Sequence, residues 1–218
     1  MVTLSEENHL KSIYHLGEQG SISVSTNAIA EKMATKASSV TDMIKKLADK
    51  NLVSYKKYQG VHLTKQGQLT ATNVIRKHRL WETFLVNKLN FSWDEVHDVA
   101  EQLEHIKSEK LVNELDAFLK FPTHDPHGDP IPDKNGNYIK TEKIKLSQAH
   151  VNDNYVCVGV NDSSTEFLKY LSKHNIALGT HLKVLTKEAF DNSMIIKTKT
   201  NQFAISNLIA KNLFVKLK

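Results

Sequence analysis

All four prolines of the chain lie in one stretch, "PTHDPHGDPIPDKNGNY" at residues 122–138. Proline has no N–H to donate and clashes with the turn before it, so neither a helix nor a central strand runs through such a segment. The chain is therefore divided. Before the segment, apolar residues recur at helical spacing; after about residue 142 they fall into short β-like runs such as "NYVCVGV", "HLKVLTK" and "SMIIKTK". A mainly α part followed by a small β-domain is the expected fold class.

Within the first part, residues 5–19 read as a helix capped by Ser5, with Leu10, Ile13, Tyr14 and Leu16 on its apolar face. A second helix over 24–33 starts at Ser25, and a third covers 36–52 with Val40, Met43, Ile44 and Leu47 inward. β-like residues on both sides of "YQG" make 52–64 a hairpin. That order is a winged helix-turn-helix over residues 1–66. Helices at 64–89, 92–106 and 108–121 follow, the second opened by the capping box Ser92–Glu95, and give a helical domain over 67–121. A proline-rich tether fills 122–141. Residues 142–218, with five or six short strands and a helix at 163–174, read as a small β-barrel.

Cys157 is the one cysteine, so no intramolecular disulfide forms, which fits a reducing cytoplasm. Its apolar neighbours make it a core residue. Neither a secretory leader nor an apolar stretch of the ~20 residues that span a membrane is visible.

The formal net charge of +5 suits a phosphate-bearing partner. The third helix begins with Lys36, Ala37, Ser38, Ser39 and Thr41, a cation and small hydroxyls of the kind that meet phosphates and base edges in a major groove. Lys45 adds charge, and Lys56, Lys57 and Tyr58 sit at the hairpin tip, where a wing touches DNA.

A second constellation lies in "HDVAEQLEHI". On a helix advancing about 100° per residue, His97, Glu101, Glu104 and His105 fall within an arc of about 100° bordering the apolar side. Carboxylates crowded there lose hydration and repel one another, and a divalent cation relieves both costs. Oxygen and imidazole donors without thiolate suit Mn²⁺, Fe²⁺, Co²⁺ or Zn²⁺, with a lean to the harder ions. His78 and Glu82, four residues apart on the preceding helix, offer a second group with His97.

The stretches "IRKHRLWETFL", "VHDVAEQLEHI" and "PHGDPIP" in this order resemble the diphtheria-toxin-repressor/manganese-transport-regulator (DtxR/MntR) family of metal-dependent transcriptional repressors. The resemblance covers essentially the whole chain. It implies a helical dimerisation domain behind the winged helix and an SH3-like (FeoA-like) C-terminal barrel. It implies a cytoplasmic homodimer on an inverted-repeat operator, with Mn²⁺ or Fe²⁺ as co-repressor at two sites per subunit. By position, the primary site would use Asn8, where family members carry Met or Asp, with Glu101, Glu104 and His105. Glu at 101 resembles the manganese type. The ancillary site would use His78, Glu82 and His97. Asp125 (in place of the usual cysteine), His127, Asp162 and Glu166 are further candidates.

Three alternatives stay open on the residues alone. One is a winged-helix protein with a purely structural metal. Another is a metallohydrolase, against which stands the lack of an HExxH, a nucleophile elbow or a Gly-rich phosphate loop. The third is a protein–protein adaptor, which predicts no salt-dependent affinity for DNA. The expectation is a regulator without enzymatic activity and without a small organic substrate.

Overall fold

The computed structural model describes residues 2–56, 59–161 and 163–218, which form two compact units. The first comprises Met1–Trp81, Glu101–Glu114 and Pro132–Tyr138; the second comprises Glu82–Ala100, Leu115–Ile131 and Ile139–Lys218.

The first unit opens with α1 (Leu4–Leu16), α2 (Thr26–Lys32) and α3 (Ala37–Asp49), then the strands β1 (Val53–Lys56) and β2 (Gly60–Leu63). The cap of α1 is Thr3, not the expected Ser5. Thr3 Oγ1 accepts from the Glu6 N–H, and Glu6 returns a carboxylate to the Thr3 N–H at 2.8 Å. Ser5 has no Glu or Gln three residues on to complete that reciprocal box, whereas Thr3 has Glu6. Ser25 caps α2 as expected, accepting from the Ala28 N–H. β1 and β2 pair antiparallel from Val53↔Leu63 to Lys56↔Gly60, and Val24 bridges Val61 on the outer side. The helix α4 (Lys65–Leu89) starts directly after the hairpin. Leu10 and Ile13 of α1, Val40, Ile44 and Leu47 of α3, Val61 of β2, and Ala71 and Ile75 of α4 close one buried core. Each large side chain taken out of water there contributes about 1.5–3 kcal/mol.

Two further helices follow, α5 (Val96–Leu103) and α6 (Glu109–Phe118). The Leu111 N–H bonds Ser108 Oγ at the start of α6. The expected helix over 92–106 is shorter at both ends. Ser92 and Glu95 do exchange hydrogen bonds, but in the turn ahead of α5. Glu104 and His105 lie beyond its end, where the Ile106 N–H reaches Leu103 O in a tighter, three-residue turn. The helical-wheel placement of those two residues is therefore corrected: a turn aims them.

The second unit holds a six-stranded antiparallel sheet. Its strands are β3 (Ile144–Lys145), β4 (Asn154–Val160), β5 (His181–Lys187), β6 (Met194–Lys197), β7 (Gln202–Ile205) and β8 (Leu213–Leu217), in the order β3-β8-β4-β5-β6-β7. The helix α7 (Thr165–Lys173) matches the expected one. A short helix, α8 (Asn207–Asn212), capped by Ser206, was not foreseen. The run "KIKLSQA" is only briefly a strand, because Leu146–Gln148 turn into a 3-10 helix. Tyr155, Leu168, Leu171, Leu182, Val184, Ile196 and Val215 fill the core these elements share. Cys157 belongs to it, and burial pushes its thiol up to about 11, as an inert core residue requires. Among the described residues no helix is long and apolar enough to cross a membrane.

Candidate metal centre and nucleic-acid interface

Among the described residues, each unit builds a cluster of ionisable side chains. In the first, α1 turns Leu10, Ile13 and Tyr14 into the core and carries Glu7, Asn8 and Lys11 on another flank, one helical turn apart. Glu104, with 0% of its surface exposed, is reached from two sides. His78 of α4 donates through Nδ1 to its Oε2 at 2.7 Å, and Lys11 Nζ lies 2.7 and 2.9 Å from its two oxygens. Lys11 also bonds Glu101 at 2.6 Å. His105 donates from Nδ1 to Glu7 at 2.6 Å, which turns its Nε2 toward Glu104 Oε1, 3.6 Å away.

His78, Glu101 and Glu104 each place a ligand atom within 4.8 Å of the others. Asn8 supplies a further sign of what the cluster suits. Its Oδ1 is buried and accepts no hydrogen bond, a costly state for a carbonyl oxygen unless an ion satisfies it. Two carboxylates, imidazole and a neutral oxygen are the donor chemistry of a hard or borderline divalent cation. The residues present fit such an ion.

Lys11 is the residue that sequence reasoning missed. A lysine beside an apolar helical stripe reads as a solvated flank. The available signal was its spacing, four residues after Glu7 and three after Asn8, on the face already assigned to the metal.

The second cluster lies wholly in the second unit. Glu82, Asp125 and His127 are each at most 5% exposed and bring ligand atoms within 4.8 Å of one another. Each oxygen of Glu82 faces an imidazole: His97 Nδ1 and His127 Nδ1, both at 3.6 Å. Asp125 Oδ1 accepts from the backbone N–H groups of His127 and Asp129, so this carboxylate shapes the turn that presents His127. His127 O accepts from the Val160 N–H at 2.9 Å and fixes the turn to β4. Gly128 has φ +83°, and a Cβ there would lie 2.1 Å from Val158 O, so only glycine fits. His127 Nε2 meets the Trp93 carbonyl at 2.7 Å. Burial opposes a charge on His127, but Glu82, Asp125 and the Trp93 carbonyl outweigh it and raise its pKa to about 9.

The remaining candidates separate. Glu166 is exposed in the first turn of α7 and joins neither cluster. Asp162 lies outside the described residues.

On the first unit's surface, Lys36 sits at the N-cap of α3 with no side-chain capping bond, and Ala37, Ser38 and Ser39 are exposed. Thr41 Oγ1 returns its hydrogen to Ala37 O at 2.9 Å. Lys45 is exposed and loosely paired with Asp42 at 3.3 Å. Lys56 is exposed at the end of β1, while Lys57 and Tyr58 lie outside the described residues. Among the described residues the start of α3 is thus an open polar face whose N-cap side chain makes no capping bond, suited to an anionic backbone.

Comparison with known proteins adds three family matches in sequence order. The N-terminal DNA binding domain of the iron dependent repressors matches residues 1–61. Their metal binding and dimerisation domain matches 64–133, and the FeoA domain matches 144–217. The iron-dependent repressor IdeR of Mycobacterium tuberculosis is 34% identical over 126 residues, 58% of this chain and 54% of that protein. The chain thus spans about half the length of the curated relatives it matches. Among solved structures, a manganese-dependent transcriptional repressor in complex with manganese is 34% identical, covers 98% of this chain and 100% of that one, and superposes with a TM-score of 0.84. The manganese regulator SloR is 36% identical, covers 98% of both chains and has a TM-score of 0.73.

Proposed function

The chain belongs to the DtxR/MntR family of iron- and manganese-dependent repressors, and on that footing we propose that it is a metal-responsive transcriptional repressor of metal-ion homeostasis. The single observation that carries this reading is Glu104, fully buried among Glu101, His78 and His105, with the unsatisfied Asn8 oxygen on the helix beside it. The ion is Mn²⁺ or Fe²⁺. Asn8, Glu101, Glu104 and His105 form the primary set, with His78 against Glu104. Glu82, His97, Asp125 and His127 form a second, giving two sites per subunit. Residues 1–66 are the reader, 67–121 the dimerisation region, 122–141 the tether and 142–218 the SH3-like domain.

A bound divalent ion supplies the positive charge that lets the carboxylates stay close. The chain's own residues do the rest. Glu7 and Asn8 belong to α1, and α1 is welded to the reader by Leu10, Ile13 and Tyr14. Glu101, Glu104 and His105 belong to α5 and the turn after it. Holding these two groups together fixes α1 and with it the presentation of α3. In a cytoplasmic homodimer, two such faces meet an inverted-repeat operator, with Lys36, Ser38, Ser39 and Lys45 toward the duplex. Allosteric coupling of this kind is typically ~1–3 kcal/mol, and DNA tightens metal by the same factor. The chain catalyses no reaction in this scheme. A structural metal staple is distinguished by dialysis: Lys11 and the imidazoles already partner the carboxylates, so the metal-free repressor stays folded.

The deciding experiment measures affinity of the full chain for operator DNA, selected from a random pool, with Mn²⁺, with Fe²⁺ and with chelator. Tight binding only with metal is expected. The same affinity in all three conditions would end the proposal.

A further inference from the structure

Three oxygens that suit a divalent ion are already taken by an atom of the chain. Lys11 Nζ lies 2.6 Å from Glu101 and 2.7 and 2.9 Å from the two oxygens of Glu104. We infer that Lys11 is a tethered cation that competes with the divalent ion for the Glu101–Glu104 seat and so sets the metal concentration at which the repressor responds. This rests on the reading that the cluster takes a divalent ion, and it adds the residue that tunes it.

The geometry favours competition over a merely structural ion pair. The ammonium and the ion need the same oxygens, and two of the three belong to a carboxylate with no exposed surface. Lys11 answers the charge of the cluster but not all of its donors, since Asn8 Oδ1, one turn earlier on α1, accepts nothing. A single-point cation has satisfied the carboxylates and left the neutral oxygen over. The Lys11 side chain keeps 15% of its surface exposed, and its four-carbon stem is flexible, so it has a way out to water that leaves the backbone of α1 in place. Glu101 is the more open of the two carboxylates, at 40%.

A competitor attached to the same helix is never diluted. Its local concentration is set by the length of its tether and not by the cell. The apparent affinity for metal is then the intrinsic affinity reduced by the fraction of time the seat is vacated. The second cluster, around Glu82, is built from Glu82, His97, Asp125 and His127 with no part taken from α1, and serves as an internal control.

The test is calorimetric titration of the full chain with Mn²⁺, comparing wild type with Lys11→Met, which keeps length and helix propensity but not charge. One binding step should tighten by about tenfold or more in the variant, within the range of ordinary couplings, while the other keeps its affinity. The metal-free variant should also melt at a lower temperature than wild type, and saturating Mn²⁺ should reverse that order. Lys11→Gln, a neutral hydrogen-bonding residue, is the second variant should Lys11→Met fold poorly. Equal or weaker Mn²⁺ binding in a folded variant overturns the competition while leaving the metal reading intact. No uptake by either chain overturns the metal reading, and the competition with it.

Discussion

His105 donates from Nδ1 to Glu7 at 2.6 Å, although the two residues are 98 apart in sequence. The contact makes a division of labour visible. Glu7 orients the ring through one nitrogen, and the other is turned toward Glu104. Metal-ligating histidines depend on such an outer carboxylate for tautomer and orientation, and its loss typically costs about 10–100-fold in affinity. Glu7→Gln should therefore weaken Mn²⁺ binding at the first cluster by that order, with little change in fold. Unchanged affinity in calorimetry would show that His105 is not a ligand.

The second cluster predicts a dependence on pH. His127 carries a pKa raised from 6.5 to about 9 against the opposition of burial, because Glu82, Asp125 and the Trp93 carbonyl favour its charged form. A raised pKa means the folded state holds the proton more tightly than the unfolded chain. The resulting stability is complete below pH 6.5 and drains away as pH rises through about 9. In chelator, urea unfolding of wild type should weaken over this window, and His127→Asn should flatten the slope. Parallel curves for the two chains would contradict the assignment.

Gly128 offers a conformational test of the same cluster. An added Cβ would press on Val158 O at 2.1 Å and on the Gly159 Cα at 2.5 Å, at a φ of +83°. Gly128→Ala should cost about 2 kcal/mol or more and displace the turn that holds Asp125 and His127. Loss of one Mn²⁺ binding step with the other retained is the expected calorimetric result. Two intact steps would place the second site elsewhere.

On the DNA side, Lys36 stands at the start of α3 with no side-chain capping bond. A phosphate contact there contributes affinity without sequence preference. Lys36→Ala should weaken binding uniformly across operator variants and lower the salt slope by about 1. A change confined to one base position would instead make Lys36 a reader of base edges.

Much of this arrangement is legible in the residues, and the exceptions have physical causes. Helix spacing and the Ser25 cap place α2 and α3 because both signals are local. Residues 92–106 misled at the ends because the periodicity continues past Leu103 while the backbone tightens. Glu104 and His105 are consequently aimed by a turn that no wheel describes. The candidate ligand types are visible in "HDVAEQLEHI", but the neighbours that make them a cluster come from residues 7–11 and 78. The strand order β3-β8-β4-β5-β6-β7 was out of reach for the same reason, since the last strand inserts beside the first by pairing across some seventy residues. Asp125 and His127 could be named from "HDPHGD", whereas their approach to Glu82 is a tertiary fact.

The helix α1 gives one flank to Leu10, Ile13 and Tyr14 and the other to Glu7, Asn8 and Lys11. Its two jobs are therefore mechanically inseparable. Any rotation about its long axis that eases the ionic side drags the greasy side against its neighbours. A rod of thirteen residues thus acts as a lever, and in the proposed scheme a displacement at the ion's seat is passed along it to the face offered to DNA.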